Sequence, residues 1–307
     1  MNPAELPFVS VAIPTRNRAD MLATCLRGLT SQDYPHDRYE VIVVDDGSKD
    51  GTASVVRKVA AEPGSPVVRY LAQRHLGPNA ARNAALRLSH GDPVCFVDDD
   101  VVVPSGWLAA LVTGAIGHPT AGCVGGPIRL RLEGRPPRSC GREALGESEL
   151  DLGDHSHEVR YVWGANMAVR RHALAAIGPF QEHRLPGHDE VEWLDRLNQA
   201  HIPVLYVADA LVWHRRTAAD LRLTRMLRKR FVRGVGETFA YHRAGFAYPV
   251  GGMVASLRGE FRHAISQRCG VGLIQAAQAA GRLAGLAPLR VTDLLRGRRH
   301  TLAPPPA

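Results

Sequence analysis

The stretch VCFVDDDVVVPSGWL, at residues 94–108, joins a short apolar run to three consecutive aspartates. Its apolar part, within PVCFV at residues 93–97, has the length and composition of a buried β-strand. Three adjacent carboxylates repel one another, and a divalent cation held by oxygen ligands, such as Mn2+ or Mg2+, would relieve that repulsion. The stretch therefore predicts a strand that ends at a metal site. A solvated acidic turn is the simpler alternative for Asp98, Asp99 and Asp100.

Three more apolar runs of strand length come before this one. They are FVSVAI (8–13), YEVIVV (39–44) and VVRYLA (67–72). Patterns of helical period separate the four runs and cover residues 19–30, 52–61 and 78–89. Strands that alternate with helices predict a mostly parallel sheet with helices on both faces. Ligands of such open sheets bind beyond the carboxyl ends of the strands.

Polar clusters lie at the predicted carboxyl ends of three of these strands. Residues 14–17 follow the first strand, Asp45-Asp46-Gly47-Ser48 follows the second, and the three aspartates follow the fourth. A carboxylate such as Asp46 is suited to accept a hydrogen bond from a base or a ribose, although Asx residues also initiate turns. The sequence lacks the glycine-rich fingerprints of dinucleotide-binding and P-loop proteins. A dinucleotide-binding site and a P-loop nucleotide site are therefore disfavoured at this edge.

Charge is distributed unevenly along the 307 residues. Residues 1–214 carry 21 basic and 26 acidic side chains, a net charge of −5, whereas residues 215–307 carry 17 and 4, a net charge of +13. The basic region includes a predicted amphipathic helix at 218–240. Such a helix favours contact with an anionic membrane surface or polyanion, with a solvated helix face as the alternative. It has neither the aromatic spacing of an RNA-binding sheet nor a zinc-finger pattern, so no nucleic-acid partner is expected.

Several features predict the cellular compartment. The sequence has no run of 18 apolar residues, and its first residues do not resemble a secretory signal. The five cysteines are scattered, odd in number and without C-x-x-C spacing. They predict neither a disulfide framework nor a cysteine zinc site. A cytoplasmic protein is expected, with contact at the inner face of the cell membrane if the basic helix binds lipid.

Taken in order, six stretches resemble the family 2 inverting glycosyltransferases of the GT-A fold. They are VSVAIPTRNR (9–18), VIVVDDGSKDGT (41–52), GPNAARNAAL (77–86), the stretch at 94–108, GANMAVRR (164–171) and HDEVEWLDRL (188–197). The resemblance implies an α/β, Rossmann-like GT-A fold, a mixed and mostly parallel sheet sandwiched by helices, followed by a C-terminal helical extension. The implied regions are a nucleotide-sugar-binding half at 1–115, an acceptor-binding half at 116–216, and a basic, mostly helical extension with a disordered tail at 217–307.

The resemblance also implies roles for the residues that match the family's motifs. The expected nucleotide-sugar contacts are Pro14, Thr15, Arg16, Asp46, Arg82 and Asp98. The expected metal ligands are Asp99, Asp100 and His214. The DDD sequence leaves the register of the family's DXD motif open by one residue, and a lone histidine is often structural.

The acceptor side of the site is implied in the same way. The segment expected to line the sugar or acceptor pocket is Trp163, Gly164, Ala165 and Asn166, with ordinary strand packing as the alternative. Glu190 or Asp189 is expected to be the catalytic base that takes the proton of the acceptor hydroxyl. Both carboxylates also suit the positive N-terminus of an exposed helix.

The implied reaction is inverting transfer of a sugar from a nucleotide diphosphate donor to an acceptor hydroxyl, with Mn2+ or Mg2+ as cofactor. A UDP-sugar is the favoured donor, and the acceptor is a natural product, another small molecule, or a lipid- or polysaccharide-linked glycan. One alternative is a nucleotidyltransferase acting on sugar phosphates, although PTRNRAD at 14–20 is not a glycine-rich phosphate loop. The other is a non-catalytic nucleotide-binding protein.

The small-residue helices predicted near 253–268 and 271–285 are suited to packing or to homodimer formation.

Overall fold

The computed structural model describes residues 6–141, 149–182, 190–243 and 250–296. The strands, in chain order, are β1 (Val9–Thr15), β2 (Tyr39–Asp45), β3 (Val67–Ala72), β4 (Val94–Val97), β5 (Val101–Val102), β6 (Cys123–Gly125), β7 (Ile128–Glu133), β8 (His157–Val159), β9 (Asn166–Val169), β10 (Val204–Tyr206) and β11 (Val212–Thr217). The α-helices are α1 (Ala19–Leu29), α2 (Thr52–Ala60), α3 (Pro78–Leu88), α4 (Trp107–Gly117), α5 (Arg171–Ile177), α6 (Val191–Gln199), α7 (Leu223–Arg243), α8 (Val250–Ser266) and α9 (Gly270–Arg296). The predicted disordered tail lies outside the described residues.

The main sheet has eight strands in the order β3-β2-β1-β4-β9-β6-β10-β8. The first four are parallel to one another, as the strand–helix alternation predicts. β9 runs antiparallel to both of its neighbours, β4 and β6, and β8 runs antiparallel to β10. The prediction of a mixed, mostly parallel sheet flanked by helices is confirmed.

Successive residues of the central strands belong to two different core clusters. Val11 and Val41 pack in one cluster with residues of α1, α2 and α4. Ala12 and Ile42 pack in the other, with residues of α3 and α6. Because side chains alternate across a strand, this division shows that helices cover both faces of the sheet. These strands are continuous apolar runs in the sequence because both of their faces are buried.

A second, three-stranded sheet has the order β5-β11-β7. β5 follows directly after the three aspartates, and β11 pairs with it in antiparallel register, with His214 opposite Val101. The strand β11 is not predicted from the sequence, since VWHRRT mixes apolar, aromatic and charged residues without a buried run. Its pairing carries His214 to the carboxyl end of β4.

The described residues form two compact units. The first comprises 6–131, 149–182 and 190–215 and contains the eight-stranded sheet. The second comprises 132–141, 216–243 and 250–296 and contains α7, α8 and α9. The finer division of the chain at residues 115 and 216 into donor, acceptor and extension regions stays a prediction.

Small residues bring α7 and α9 together within the second unit. A side chain at Gly281 would collide with the carbonyl oxygen of Phe231, and one at Gly234 would collide with that of Gln278. Beside this contact, buried Glu237 accepts hydrogen bonds from Gln278 Nε2 at 2.7 Å and from Arg282 Nε at 2.6 Å. The small-residue surface is thus used inside one chain, and homodimer formation stays a prediction. Over the residues described, none of the helices combines the length and apolarity that crossing a membrane requires.

Candidate active site at the carboxyl ends of the strands

The three aspartates follow β4 and meet residues from the loop after β1. Thr15 Oγ1 donates a hydrogen bond to Asp99 Oδ2 at 2.7 Å. Arg18 Nη1 lies 2.9 Å from Asp99 Oδ1 and 2.9 Å from Asp100 Oδ2. The Arg18 side chain is 46% exposed, whereas those of Asp99 and Asp100 are 5% and 9% exposed. A partly exposed guanidinium therefore neutralises two buried carboxylates.

The crowding of these carboxylates changes their protonation. Burial raises the pKa of Asp99 to about 6, and the neighbouring Asp100 adds to this, while Arg18 and Thr15 act in the opposite direction. Burial also raises the pKa of Asp98, with the charge of Asp100 as the next cause, against the influence of Arg82 and His214. The raised pKa values therefore reflect mainly the burial of these carboxylates, with the charge of Asp100 as a further cause.

His214 joins the cluster from β11. Its Nε2 atom lies 3.0 Å from Asp100 Oδ1, and its side chain is 4% exposed. The backbone N–H of Arg215 donates to the carbonyl oxygen of Asp100 at 2.9 Å, which fixes the strand against the aspartates. The structure thus brings together all three residues that were expected to bind a metal.

The residues present fit a divalent cation of the Mn2+ or Mg2+ type. Asp99 and Asp100 supply the carboxylate oxygens that these ions prefer, and the imidazole of His214 is the one nitrogen ligand of the set. Arg18 already places positive charge between the two carboxylates, which shows where a cation is favourable. The identity of the ion stays a prediction.

Asp46, the residue expected to contact the base, organises the loop between β3 and α3. Its Oδ1 atom accepts hydrogen bonds from the backbone N–H of Leu76 and from Gln73 Nε2, both at 2.8 Å. Its Oδ2 atom accepts one from the N–H of Gly77 at 2.9 Å and lies 2.7 Å from His75 Nδ1. Burial would raise the pKa of Asp46, but these hydrogen bonds lower it below its usual value.

Arg16 extends the same group to the protein surface. Its Nη1 atom lies 3.2 Å from His75 Nε2, and the other ring nitrogen of His75 contacts Asp46. Residues after β1, β2 and β3 are thereby joined at one edge of the sheet. Pro14, beside them, is half-buried at the end of β1.

Arg82, Gly164 and Glu190 form a third group, next to Asp98. Arg82 Nη2 lies 3.9 Å from Asp98 Oδ1, and the Arg82 side chain is 5% exposed. A side-chain carbon at Gly164 would lie 2.5 Å from Arg82 Nη2, so the arginine occupies the space that a larger residue would need. The backbone N–H of Gly164 donates to Glu190 Oε1 at 3.1 Å. Asp189, the other candidate base, lies outside the described residues.

The remaining members of the predicted acceptor pocket face the protein interior. Asn166 is fully buried, accepts a hydrogen bond from Trp107 Nε1 at 2.8 Å, and donates to the carbonyl oxygens of Pro127 and Ala210. Ala165 is 3% exposed, and Trp163 is partly buried against the core. In this structure Asn166 positions the surrounding backbone, in keeping with the strand-packing alternative, and a pocket role for these residues stays a prediction.

Arg18 and His75 are among the residues with contacts in the site that had no predicted role. Arg18 pairs with the aspartates, and His75 connects Arg16 to Asp46. Arg18 was open to prediction, because the three adjacent carboxylates require a nearby cation and the loop after β1 carries basic residues. The sequence carried no signal for His75, since its contacts depend on how the loop after β3 folds back.

A comparison with solved structures identifies the fold. A mannosyltransferase from Pyrobaculum calidifontis, solved in complex with GDP-Man and Mn2+, matches 97% of this chain and 82% of its own, with a TM-score of 0.58 and 21% sequence identity. At that identity the match establishes the fold, which is that of GT-A glycosyltransferases.

Sequence comparisons then identify the family. The profile described as "Glycosyl transferase family 2" matches residues 10–178. The glycosyltransferase AglE of Haloferax volcanii is 30% identical over 210 residues, which are 68% of this chain and 67% of that protein. The undecaprenyl-phosphate 4-deoxy-4-formamido-L-arabinose transferase of Edwardsiella ictaluri is 38% identical over 111 residues, 36% of this chain and 34% of that protein. The chain belongs to glycosyl transferase family 2, and it spans between one third and two thirds of these two relatives.

Proposed function

We propose that this chain is a metal-dependent, inverting glycosyltransferase that moves a sugar from a nucleoside diphosphate donor to an acceptor hydroxyl, with a UDP-sugar as the favoured donor. The observation that carries the proposal is the meeting of Asp99, Asp100 and His214 at the carboxyl ends of the strands. The complex of the Pyrobaculum relative with GDP-Man and Mn2+ supports the choice of a nucleotide sugar and a divalent cation. The preference for a uridine nucleotide rests on the resemblance of the six stretches named above to the family.

Each group of residues has a task in this reaction. A divalent cation bound by Asp99, Asp100 and His214 would stabilise the charge that develops on the departing diphosphate. Arg82 places a further positive charge beside Asp98 for the donor phosphates. Glu190, oriented by the N–H of Gly164, accepts the proton of the acceptor hydroxyl. The oxygen then attacks the anomeric carbon from the face opposite the diphosphate, which inverts the configuration without a covalent enzyme intermediate.

The proposed acceptor is carried on a lipid at a membrane surface. The Edwardsiella relative is named for undecaprenyl phosphate, which supports a lipid-linked acceptor. On α8, exposed Arg258 and Arg262 accompany Phe261 and Ile265, which are 53% and 64% exposed. On α7, Phe231 and Val232 are 40% and 41% exposed, and they lie among the basic residues of the 218–240 segment. Cationic and apolar side chains on the same face of α8 favour the interface of an anionic bilayer.

Sedimentation with vesicles tests the membrane part of the proposal. We expect the full chain to sediment with vesicles that contain anionic phosphatidylglycerol and to remain in solution with purely zwitterionic vesicles. Replacement of Phe261 and Ile265 by serine should weaken the binding, whereas Leu132→Ser, at another exposed apolar residue, should not. Equal sedimentation of all variants would contradict the proposal.

Thermal unfolding with nucleotides tests the donor site. We expect one of UDP, GDP, dTDP and CDP to raise the Tm in the presence of Mn2+ and not in EDTA, since a ligand of the native state stabilises it by mass action. Asp99→Asn should abolish this shift, whereas Asp154→Asn, at a side chain that is 92% exposed, should preserve it. An equal shift in Asp99→Asn would overturn the metal assignment. Release of pyrophosphate from a nucleoside triphosphate and a sugar phosphate would instead support a nucleotidyltransferase.

A further inference from the structure

A cluster of two cysteines and one histidine lies in the second compact unit. Cys140 Sγ is 3.1 Å from His263 Nε2 and 3.3 Å from Cys269 Sγ. The three ligand atoms all lie within 4.8 Å of one another. The sequence spacing hides this group, because Cys140 and Cys269 are far apart in the chain and neither belongs to a C-x-x-C pair.

Backbone contacts of the second unit hold these residues in place. His263 lies in the last turn of α8, and Cys269 lies in the turn between α8 and α9, where its N–H donates to the carbonyl oxygen of Ala264 at 3.0 Å. The N–H of Gly270 donates to the carbonyl oxygen of Arg138 at 2.8 Å, which fixes the segment that carries Cys140. The ligands thus come from two stretches of chain that are already joined next to the cluster.

The cluster is open to an ion from solvent. Zinc binds cysteine as the thiolate, so binding displaces the thiol protons. Cys140 is exposed and His263 is partly buried, so an ion has access to the group from solvent.

We propose that Cys140, His263 and Cys269 bind one zinc ion, with water or another donor as the fourth ligand. Two thiolates and an imidazole are ligands that Zn2+ prefers, whereas Mn2+ and Mg2+ prefer oxygen. Tetrahedral bonds of about 2.3 Å place two sulfurs about 3.8 Å apart, so the Sγ atoms need to separate by only about half an ångström. This site is separate from the carboxylates of the donor site and uses none of its residues.

A disulfide between Cys140 and Cys269 is the competing product of the same geometry. It would require the sulfurs to approach from 3.3 Å to about 2.05 Å, together with an oxidant that takes two electrons. The site would then lose both thiolates. Zinc, in contrast, would fasten the Cys140 segment to the α8–α9 turn under reducing conditions and stabilise the native state by mass action.

Zinc competition tests the site in the full chain. The protein is purified without a histidine tag in a phosphine reductant and titrated with Zn2+ against a chromophoric chelator. We expect one zinc ion to bind per chain in a way that requires Cys140 and His263. Cys140→Ser should weaken the binding of this ion by about tenfold or more. Because Cys140 is exposed, this replacement should leave the fold intact. His155→Ala, at a histidine that is 87% exposed outside the cluster, serves as the control and should bind zinc as the parent does.

Cobalt substitution supplies a second readout that identifies sulfur ligands. The parent protein with Co2+ should show thiolate-to-metal charge-transfer absorption, and Cys140→Ser and His263→Gln should reduce or shift it. Zinc binding that is unchanged in both variants, or no sulfur-dependent cobalt spectrum under reductant, would overturn the proposal. Oxygen ligands at the donor site give no such absorption, so the two metal sites are distinguishable.

Discussion

Arg18 and Asp99 form a 2.9 Å ion pair in which a partly exposed guanidinium covers a buried carboxylate. The same nitrogen contacts Asp100 at 2.9 Å, so one side chain neutralises both aspartates that are proposed to bind metal. A divalent cation bound by these aspartates would compete with Arg18 for the same negative charge. We therefore expect Arg18 to influence metal affinity.

We expect Arg18→Met to lower stability in EDTA and to increase the stabilisation by Mn2+. Removing the guanidinium leaves two buried carboxylates without their cation, at a cost of about 1–2 kcal/mol, since water screens part of the effect at this half-exposed side chain. The same removal eliminates the competitor of the metal. Thermal unfolding with and without Mn2+ measures both effects, with Arg27→Met on the exposed surface of α1 as the control. A smaller Mn2+ shift in Arg18→Met than in the parent would contradict this account.

Glu190→Gln should reduce kcat by about 10²- to 10⁴-fold, because the amide cannot accept the acceptor proton. The nucleotide-induced rise in Tm should be preserved, since the proposed donor contacts involve other residues. Glu192→Gln, in the first turn of α6 just after Glu190 and paired with Arg196 at 2.7 Å, is the matched control and should retain activity.

The companion variant Asp189→Asn decides between the two candidate bases. Retained turnover in Glu190→Gln together with its loss in Asp189→Asn would transfer the role of base to Asp189. Single-turnover rates with saturating donor make the comparison independent of donor affinity.

The first half of the main sheet was predictable because the sequence patterns of its strands and helices lie within short segments of chain. Buried strands such as β2 are continuous apolar runs, and helices such as α3 show the period that covers them, so both appear in any short window of sequence. The location of the candidate site followed from the rule that ligands bind at the carboxyl ends of strands. Asp99 and Asp46 could therefore be singled out before any contact was known.

The features that were missed depend on contacts between distant segments. The antiparallel direction of β9 is set by its neighbours β4 and β6, which its own sequence does not encode. β11 has no apolar run, and its position follows from pairing with β5. Cys140 and Cys269 meet only because α8 and α9 fold back on the segment before them. Such pairings leave no signal in the periodicity or residue spacing of the sequence.

Glu40→Gln should lower the free energy of unfolding by about 1–3 kcal/mol at pH 7, because a buried, hydrogen-bonded charge is lost. Glu40 accepts hydrogen bonds from Ser10 Oγ at 2.7 Å and from the N–H of His90 and Arg69 Nη1, both at 3.0 Å. Burial opposes its ionisation, but these partners hold the pKa of Glu40 below its usual value.

The effect of Glu40 should depend on pH with a defined sign. A lowered folded-state pKa means that the carboxylate stabilises the native state above the unfolded pKa of about 4.3, and that this stabilisation is lost as pH falls through the folded value. The difference between parent and Glu40→Gln should therefore shrink as pH falls below the unfolded pKa of about 4.3. Urea unfolding across this range tests the expectation, with exposed Glu62→Gln as control. A difference that grows towards acid would contradict the ionised state.

Two helical glycines in the second unit should respond to alanine in opposite ways. Gly259 in α8 has no heavy atom within 4 Å of the position of an added Cβ, so Gly259→Ala should raise stability by up to about 1 kcal/mol through helix propensity. At Gly281 in α9 the same Cβ would overlap the carbonyl oxygen of Phe231, which is backbone and cannot rotate away. Gly281→Ala should therefore push α9 from α7 and lower stability by about 1–3 kcal/mol. The two Tm values, measured by circular dichroism on the full chain, should lie on opposite sides of the parent; a Tm for Gly281→Ala at or above that of Gly259→Ala would show that the α7–α9 contact is looser than the structure indicates.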